Sequence, residues 1–155
     1  KAASKPKAEP KNKRPVIFDS NGLPKQLSTK HGASKYEFGP FKSEAEARSF
    51  AKSISTKNRN PHVLRVEVID DVTDKTIAEW WEVSERGHNW KRAGDTEQKA
   101  LSRINLNENI TVILTGDLRP CNYPITGCLN AMHAAVEQSG GQIIYCWGNQ
   151  SMVID

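Results

Sequence analysis

Apolar positions along this chain change their spacing several times, and each change marks an element. Ser43-Glu44-Ala45-Glu46 reads as a capping box, and Ala47, Phe50, Ala51 and Ile54 follow at helical spacing. Asn58 to Pro61 ends that helix. From His62 to Asp70 the period drops to two, with Val63, Leu64, Val66, Val68 and Ile69 mostly β-branched, the pattern of a strand. Asp71 to Asp74 turns the chain, and Thr76 to Val83 returns, which predicts an antiparallel hairpin. Trp80 and Trp81 must point to opposite faces of that second strand. Helical spacing resumes over Asp95 to Ile104, with Ala100, Leu101 and Ile104 on one side. Ile110 to Thr115 is apolar enough to be a central strand. Gly127 to Gln138 predicts a helix that buries Leu129, Met132, Ala135 and Val136, stopped by Gly140-Gly141. Gln142 to Trp147 is a further strand, and the last residues extend it or make another.

The order is helix, strand, strand, helix, strand, helix, strand. This is an α/β class of fold, a mixed sheet opened by an N-terminal hairpin and continued by parallel strands, with helices packed on it. Residues 1–15 are Lys, Pro, Ala and Ser with little apolar bulk, too little to offset chain entropy. They read as a basic linker or tail, and residues 16–155 as one domain. Apolar content of 37% and charged content of 26% suit a globular protein. No apolar run approaches the ~18 residues of a membrane helix, and no apolar segment follows the basic N-terminus, so no signal peptide and no membrane partner are expected.

The net charge of +4 sits in the tail: residues 1–14 carry six basic residues and one acid, which leaves 16 basic against 17 acidic in the body, a net charge of −1. A nucleic-acid groove is permitted, as a local patch only. Three cysteines, Cys121, Cys128 and Cys146, are too few for a disulfide framework. Cys146 reads as a strand residue facing the core.

The chemistry concentrates between Asp95 and Cys128. The second helix starts at Asp95; Cys121 follows the central strand; the third helix starts at Cys128. If the two helices lie side by side on one sheet face, Asp95, Cys121 and Cys128 can meet. Three protein ligands leave a fourth zinc position for water, the catalytic arrangement. Glu97 then sits beside the water and is placed to carry its proton. Taken locally, the same residues have plainer readings. Asp95 is a helix N-cap that Gln98 completes as a capping-box-like pair; Glu97 is a first-turn acid favoured by the helix dipole; the thiols are small buried hydrophobes. His88 is a reserve ligand, because its loop precedes the helix. His133 belongs to packing or surface, and His31 and His62 enter no motif.

Asp95-Thr96-Glu97 and Pro120-Cys121 followed by Cys128 resemble the zinc-dependent cytidine deaminase superfamily, whose pattern is His-x-Glu at one helix start and Pro-Cys-x-x-Cys at the next. The order of elements matches over about residues 43–147, ending in the strand Ile143-Ile-Tyr-Cys-Trp147. This chain departs in having Asp for the first His, and six residues rather than two between the cysteines, which requires Asn122 to Gly127 to loop out. The resemblance implies a three-layer-like cytidine-deaminase fold, a zinc cofactor on Asp95, Cys121 and Cys128, and Glu97 as the catalytic proton shuttle. Within the superfamily the chain is most similar to bacterial toxin deaminases, the warheads of interbacterial effectors, including those delivered by type VI secretion that act on single-stranded DNA.

That likeness implies hydrolytic deamination of cytosine to uracil in single-stranded DNA, a mutagenic lesion. It also implies action in the cytoplasm of a target bacterial cell and a cognate immunity protein as partner. The chain is expected to be a monomer. Trp90 and Tyr123, in the flanking loops, would stack on an unpaired base; Lys91, Arg92 and Arg119, with Arg86, Lys99 and Arg103 nearby, would track phosphates. The alternatives are deamination of RNA, a free nucleoside or another amine, and a zinc-stabilised binding domain without catalysis.

Overall fold

The computed structural model describes residues 14–28, 36–57, 60–85, 95–120 and 127–155. The elements are α1 (Glu44–Ile54), β1 (Val63–Asp70), β2 (Lys75–Val83), α2 (Thr96–Leu101), β3 (Ile110–Gly116), α3 (Cys128–Ser139), β4 (Gln142–Trp147) and β5 (Gln150–Ile154). The α/β architecture expected from the spacing is present, with the strands in the order β2-β1-β3-β4-β5. β1 pairs antiparallel with both β2 and β3, β3 and β4 run parallel, and β5 returns antiparallel along β4. Thus β3 is central, as its apolar run predicts, and the final residues form a strand of their own.

Local chemistry sets the boundaries. Ser43 Oγ accepts the Glu46 amide at 3.1 Å and caps α1. At the hairpin, Asp70 accepts the Val72 amide through its side chain and the Asp74 amide through its carbonyl, and Asp74 takes a left-handed φ of 63°. α3 stops at Gly140, left-handed at φ 79°, whose amide closes on the Val136 carbonyl. α2 is shorter than its pattern predicts, ending at Leu101, and Ser102 to Ile104 continue as a tighter turn.

The sheet is covered on both faces, which makes the three layers. On one face, Leu64, Val66 and Val68 of β1, Trp80 of β2, Val112 and Leu114 of β3, and Ile143 and Tyr145 of β4 pack with Ala100, Ile104 and Met132. On the other, Val63, Val83 and Trp81 pack against Ala47, Ala51, Phe50 and Ile54 of α1. The two adjacent tryptophans therefore serve different cores, as alternation requires. The same alternation corrects one expectation: Ile143 and Tyr145 point into the main core, so Cys146, next along the strand from Tyr145, faces away and is half-buried rather than a core residue. Phe41 exchanges two 2.9 Å backbone bonds with Trp81 and so protects part of the β2 edge. Arg14 and Pro15 are held to the domain by Asn105, which bonds both of their carbonyls.

α2 departs from an amphipathic pattern: Thr96, Glu97, Gln98, Lys99 and Ala100 are all buried. Lys99 is fully buried, and its ammonium donates to the Val83 carbonyl at 2.6 Å, the Phe38 carbonyl at 2.7 Å and Glu85 Oε2 at 2.8 Å. Beside it Glu82, also fully buried, accepts Arg103 Nε at 2.7 Å and Trp80 Nε1 at 2.8 Å. The Phe38 and Tyr36 rings flank the ammonium at 5.8 and 5.5 Å. This corrects the expectation that Lys99 and Arg103 track phosphates. Both are spent inside the protein: Lys99 ties α2 to the Val83 carbonyl at the end of β2 and to Glu85, and Arg103 pairs with the buried Glu82 of β2.

Candidate active site

The parallel pair β3–β4 ends at Gly116 and Trp147, and α2 and α3 both begin over that edge. Asp95 occupies the N-cap position of α2 with extended backbone (φ −70°, ψ 150°), yet its side chain makes no capping bond. Instead Asp95 Oδ2 accepts the Cys128 thiol at 3.4 Å. The two helix starts thus converge, and the plain N-cap reading of Asp95 does not describe its side chain. Cys128 is buried in the first turn of α3, behind Gly127.

Glu97, in the first turn of α2, is 5% exposed. Its Oε1 accepts the Thr96 hydroxyl at 3.1 Å. Thr96 Oγ1 also lies 2.9 Å from His62 Nδ1, and His62 Nε2 accepts the Asp117 amide at 3.2 Å. His62 itself is anchored just before β1, where its amide donates to Ser84 Oγ at 2.9 Å and its carbonyl accepts the Ser84 amide at 3.0 Å. Tyr145 reaches the same place from β4. Its phenol donates to the Leu118 carbonyl at 2.8 Å. Burial pushes that phenol well above the ordinary tyrosine range, and the Glu97 carboxylate, by charge and by hydrogen bond, pushes it further; Cys128 and Asp117 add to the shift.

Gly116 leaves the room for this assembly. A Cβ there would stand 2.7 Å from His62 Nε2 and 2.8 Å from the Tyr145 hydroxyl. The last residue of the central strand therefore has to lack a side chain for the histidine and the tyrosine to approach.

Of the residues singled out in the sequence, Asp95, Glu97 and Cys128 come together at this edge. Arg119 is exposed three residues beyond β3, on the loop whose Leu118 carbonyl holds Tyr145. Cys121, Tyr123, His88, Trp90, Lys91 and Arg92 lie outside the described residues, as do Arg86 and His31. Among the described residues, no three His, Cys, Asp or Glu side chains are grouped as a metal set. His133 is at the far side of α3, its ring against the terminal Asp155 carbonyl.

Sequence reasoning missed His62, Thr96, Gly116 and Tyr145. Thr96 stood between two residues of interest and was passed over. Tyr145 carried a usable signal, because it puts a hydroxyl on the core-facing side of β4. His62 carried none, since its partners are 34 and 55 residues away in the chain.

No curated protein matches the chain. A family model described as Pput2613-deam-like deaminase matches residues 56–154, from the approach to β1 through the whole of β5, and so takes in every residue of the converging edge. The chain belongs to the Pput2613-deam-like deaminase family, and its chemistry is hydrolytic deamination.

Proposed function

We propose that this protein is a zinc-dependent deaminase that converts cytosine to uracil in single-stranded DNA. The observation that carries the zinc assignment is the 3.4 Å separation of Cys128 Sγ and Asp95 Oδ2. Zinc bonds of ~2.3 Å to sulfur and ~2.0–2.2 Å to oxygen at a tetrahedral angle separate the two donors by about 3.5 Å, so this pair fits one ion. Asp95 and Cys128, with Cys121 from the loop between β3 and α3, would hold it. The bound metal would serve as a Lewis acid that brings the pKa of a water to about 7.

The remaining work falls to Glu97. Its buried carboxylate takes a proton from the water as oxygen adds at C4 of the base. It returns that proton to the exocyclic nitrogen as the C4–N bond breaks. Cytosine and water become uracil and ammonia, and Glu97 ends as it began. Burial favours this role, because a carboxylate shielded from bulk solvent exchanges protons with the substrate rather than with water.

The choice of substrate rests on the likeness of the Asp-x-Glu and Pro-Cys pattern to toxin deaminases, and on the exposed Arg119 at the same edge, where a phosphate can be met. In the same reading the domain is the toxic part of an interbacterial effector. It acts as a monomer in the cytoplasm of a target cell and is neutralised in its producer by an immunity protein.

The purified protein should release uracil from cytosine-containing single-stranded DNA faster than from double-stranded DNA, RNA or free cytidine. Glu97→Ala should abolish the product while folding and metal content persist. Uracil formation by Glu97→Ala would remove Glu97 from the mechanism. Preference for RNA or cytidine would overturn the substrate and leave the reaction class standing.

A further inference from the structure

We propose that His62 and Thr96 are positioning residues: they form a one-way chain of hydrogen bonds that orients the Glu97 carboxylate. The proposal rests on the reading of Glu97 as the proton carrier and adds two residues to which no motif assigns a role.

The direction of the chain follows from its first member. A backbone amide can only donate, and the Asp117 N–H is directed at His62 Nε2 at 3.2 Å. A ring nitrogen that accepts carries no proton, so neutral His62 holds its proton on Nδ1. That Nδ1–H points at Thr96 Oγ1, 2.9 Å away, and donates to it. The hydroxyl then has its own proton to give, and Glu97 Oε1 is the acceptor at 3.1 Å. Three bonds thus run in one sense, from the end of β3 through the start of β1 to the first turn of α2. They end on a carboxylate that is 5% exposed.

Each member is held by something other than the chain. His62 is bonded to Ser84 on both sides of its backbone. Its ring occupies the space left by Gly116, where a Cβ would stand 2.7 Å from Nε2. Thr96 is 1% exposed. A rigid donor of this kind fixes one carboxylate oxygen, and with it the plane of the group. A proton carrier must keep that plane through both transfers, and misplacement by about 1 Å costs a reaction on the order of 100-fold.

The chain makes a chemical demand that plain packing does not. Thr96→Val keeps shape and volume but removes the hydroxyl; Thr96→Ser keeps the hydroxyl and loses the methyl. His62→Asn retains a donor where Nδ1–H stood, and His62→Ala does not. With cytosine in single-stranded DNA, Thr96→Val and His62→Ala should each lower kcat about 10- to 100-fold with KM within about twofold. Thr96→Ser and His62→Asn should recover most of the loss. If Thr96→Val keeps wild-type kcat, or if Thr96→Ser is as poor as Thr96→Val, the positioning role is wrong.

A second measurement needs no substrate. Nitrogen-15 NMR of wild-type protein should show His62 as the Nδ1–H tautomer, and the crystal structure of Thr96→Val should show the Glu97 carboxylate displaced. The Nε2–H tautomer in wild type, or an unmoved Glu97 in the variant, refutes the chain even if single-stranded DNA proves to be the wrong substrate. Wild-type protein that forms no uracil while His62 is the Nδ1–H tautomer and Glu97 moves in Thr96→Val overturns the substrate alone.

Discussion

Cys128 Sγ lies 3.4 Å from Asp95 Oδ2, although 33 residues separate them in the chain. α2 and α3 begin over the same end of the parallel β3–β4 pair, and this contact joins the N-cap of α2 to the first residue of α3. It turns two unrelated-looking helix starts into one site.

Metal should be retained through this pair. Elemental analysis should find one zinc per chain in the wild type, and little in Cys128→Ser or Asp95→Ala. Asp95→His, which supplies a nitrogen donor in place of oxygen, should keep the metal. Chelation should lower the melting temperature, because an ion bound only by the folded state stabilises that state. Wild-type protein free of metal, with a melting temperature indifferent to chelator, would remove zinc from the account.

Lys99 should matter for stability out of proportion to its conspicuousness in the sequence. Lys99→Ala takes the cation from Glu85, which keeps the Glu37 and Phe38 amides, and leaves the fully buried Glu82 with one fewer cation, which should cost about 3–5 kcal/mol. In a protein of this size that lowers the melting temperature by roughly 10 °C. Lys99→Met combined with Glu85→Gln should recover part of the loss, since both charges go together. A Lys99→Ala protein that melts with the wild type would show the network to be energetically idle.

Gly116→Ala should harm activity more than its single methyl suggests. The added carbon would press on His62 Nε2 and on the Tyr145 hydroxyl at under 3 Å, so at least one must shift. Overpacking of this kind costs about 1–3 kcal/mol. The His62 resonances should move with the loss of deamination. Unchanged His62 shifts together with full activity would contradict the close approach.

Alkaline titration should separate the tyrosines. Burial pushes Tyr36 up to about 12 from its ordinary 10.0, with the Glu82 charge adding to the shift. Tyr145 is raised as well, for the reasons given above. Between pH 10 and 12 the folded protein keeps protons that the unfolded chain releases. These groups therefore withdraw stability as pH rises through that window. Lys99 has the opposite sign. Burial lowers it against the pull of Glu82 and Glu85, so the folded state sheds its proton before the unfolded chain does and gains stability as pH rises toward 10.5. Phenolate absorbance isolates the tyrosines from this offset. All three tyrosines should ionise together near pH 10 in denaturant, and only a fraction of them in native protein. Full ionisation of native protein near pH 10 would argue against the buried phenols.

The elements themselves were legible because each depends on neighbours in the chain. The Ser43 cap, the period-two runs of β1 and β2, the turn from Asp71 to Asp74 and the glycine stop after α3 are all short-range chemistry. Three of the residues that the Asp-x-Glu and Pro-Cys pattern singled out, Asp95, Glu97 and Cys128, lie together at one edge of the sheet. What the chain could not announce was which of its charges would be inside. Lys99 and Arg103 read as a solvated basic face because nothing local marks Glu82 and Glu85, on another element, as their partners. His62 read as an idle strand residue for the same reason. Its meaning comes from Thr96 and Asp117, brought to it by the β1–β3 register and by the docking of α2. Local sequence sets backbone conformation and the faces of each element. The burial of a charge and the direction of a hydrogen bond depend on atoms from distant parts of the chain, and only the tertiary structure brings those together.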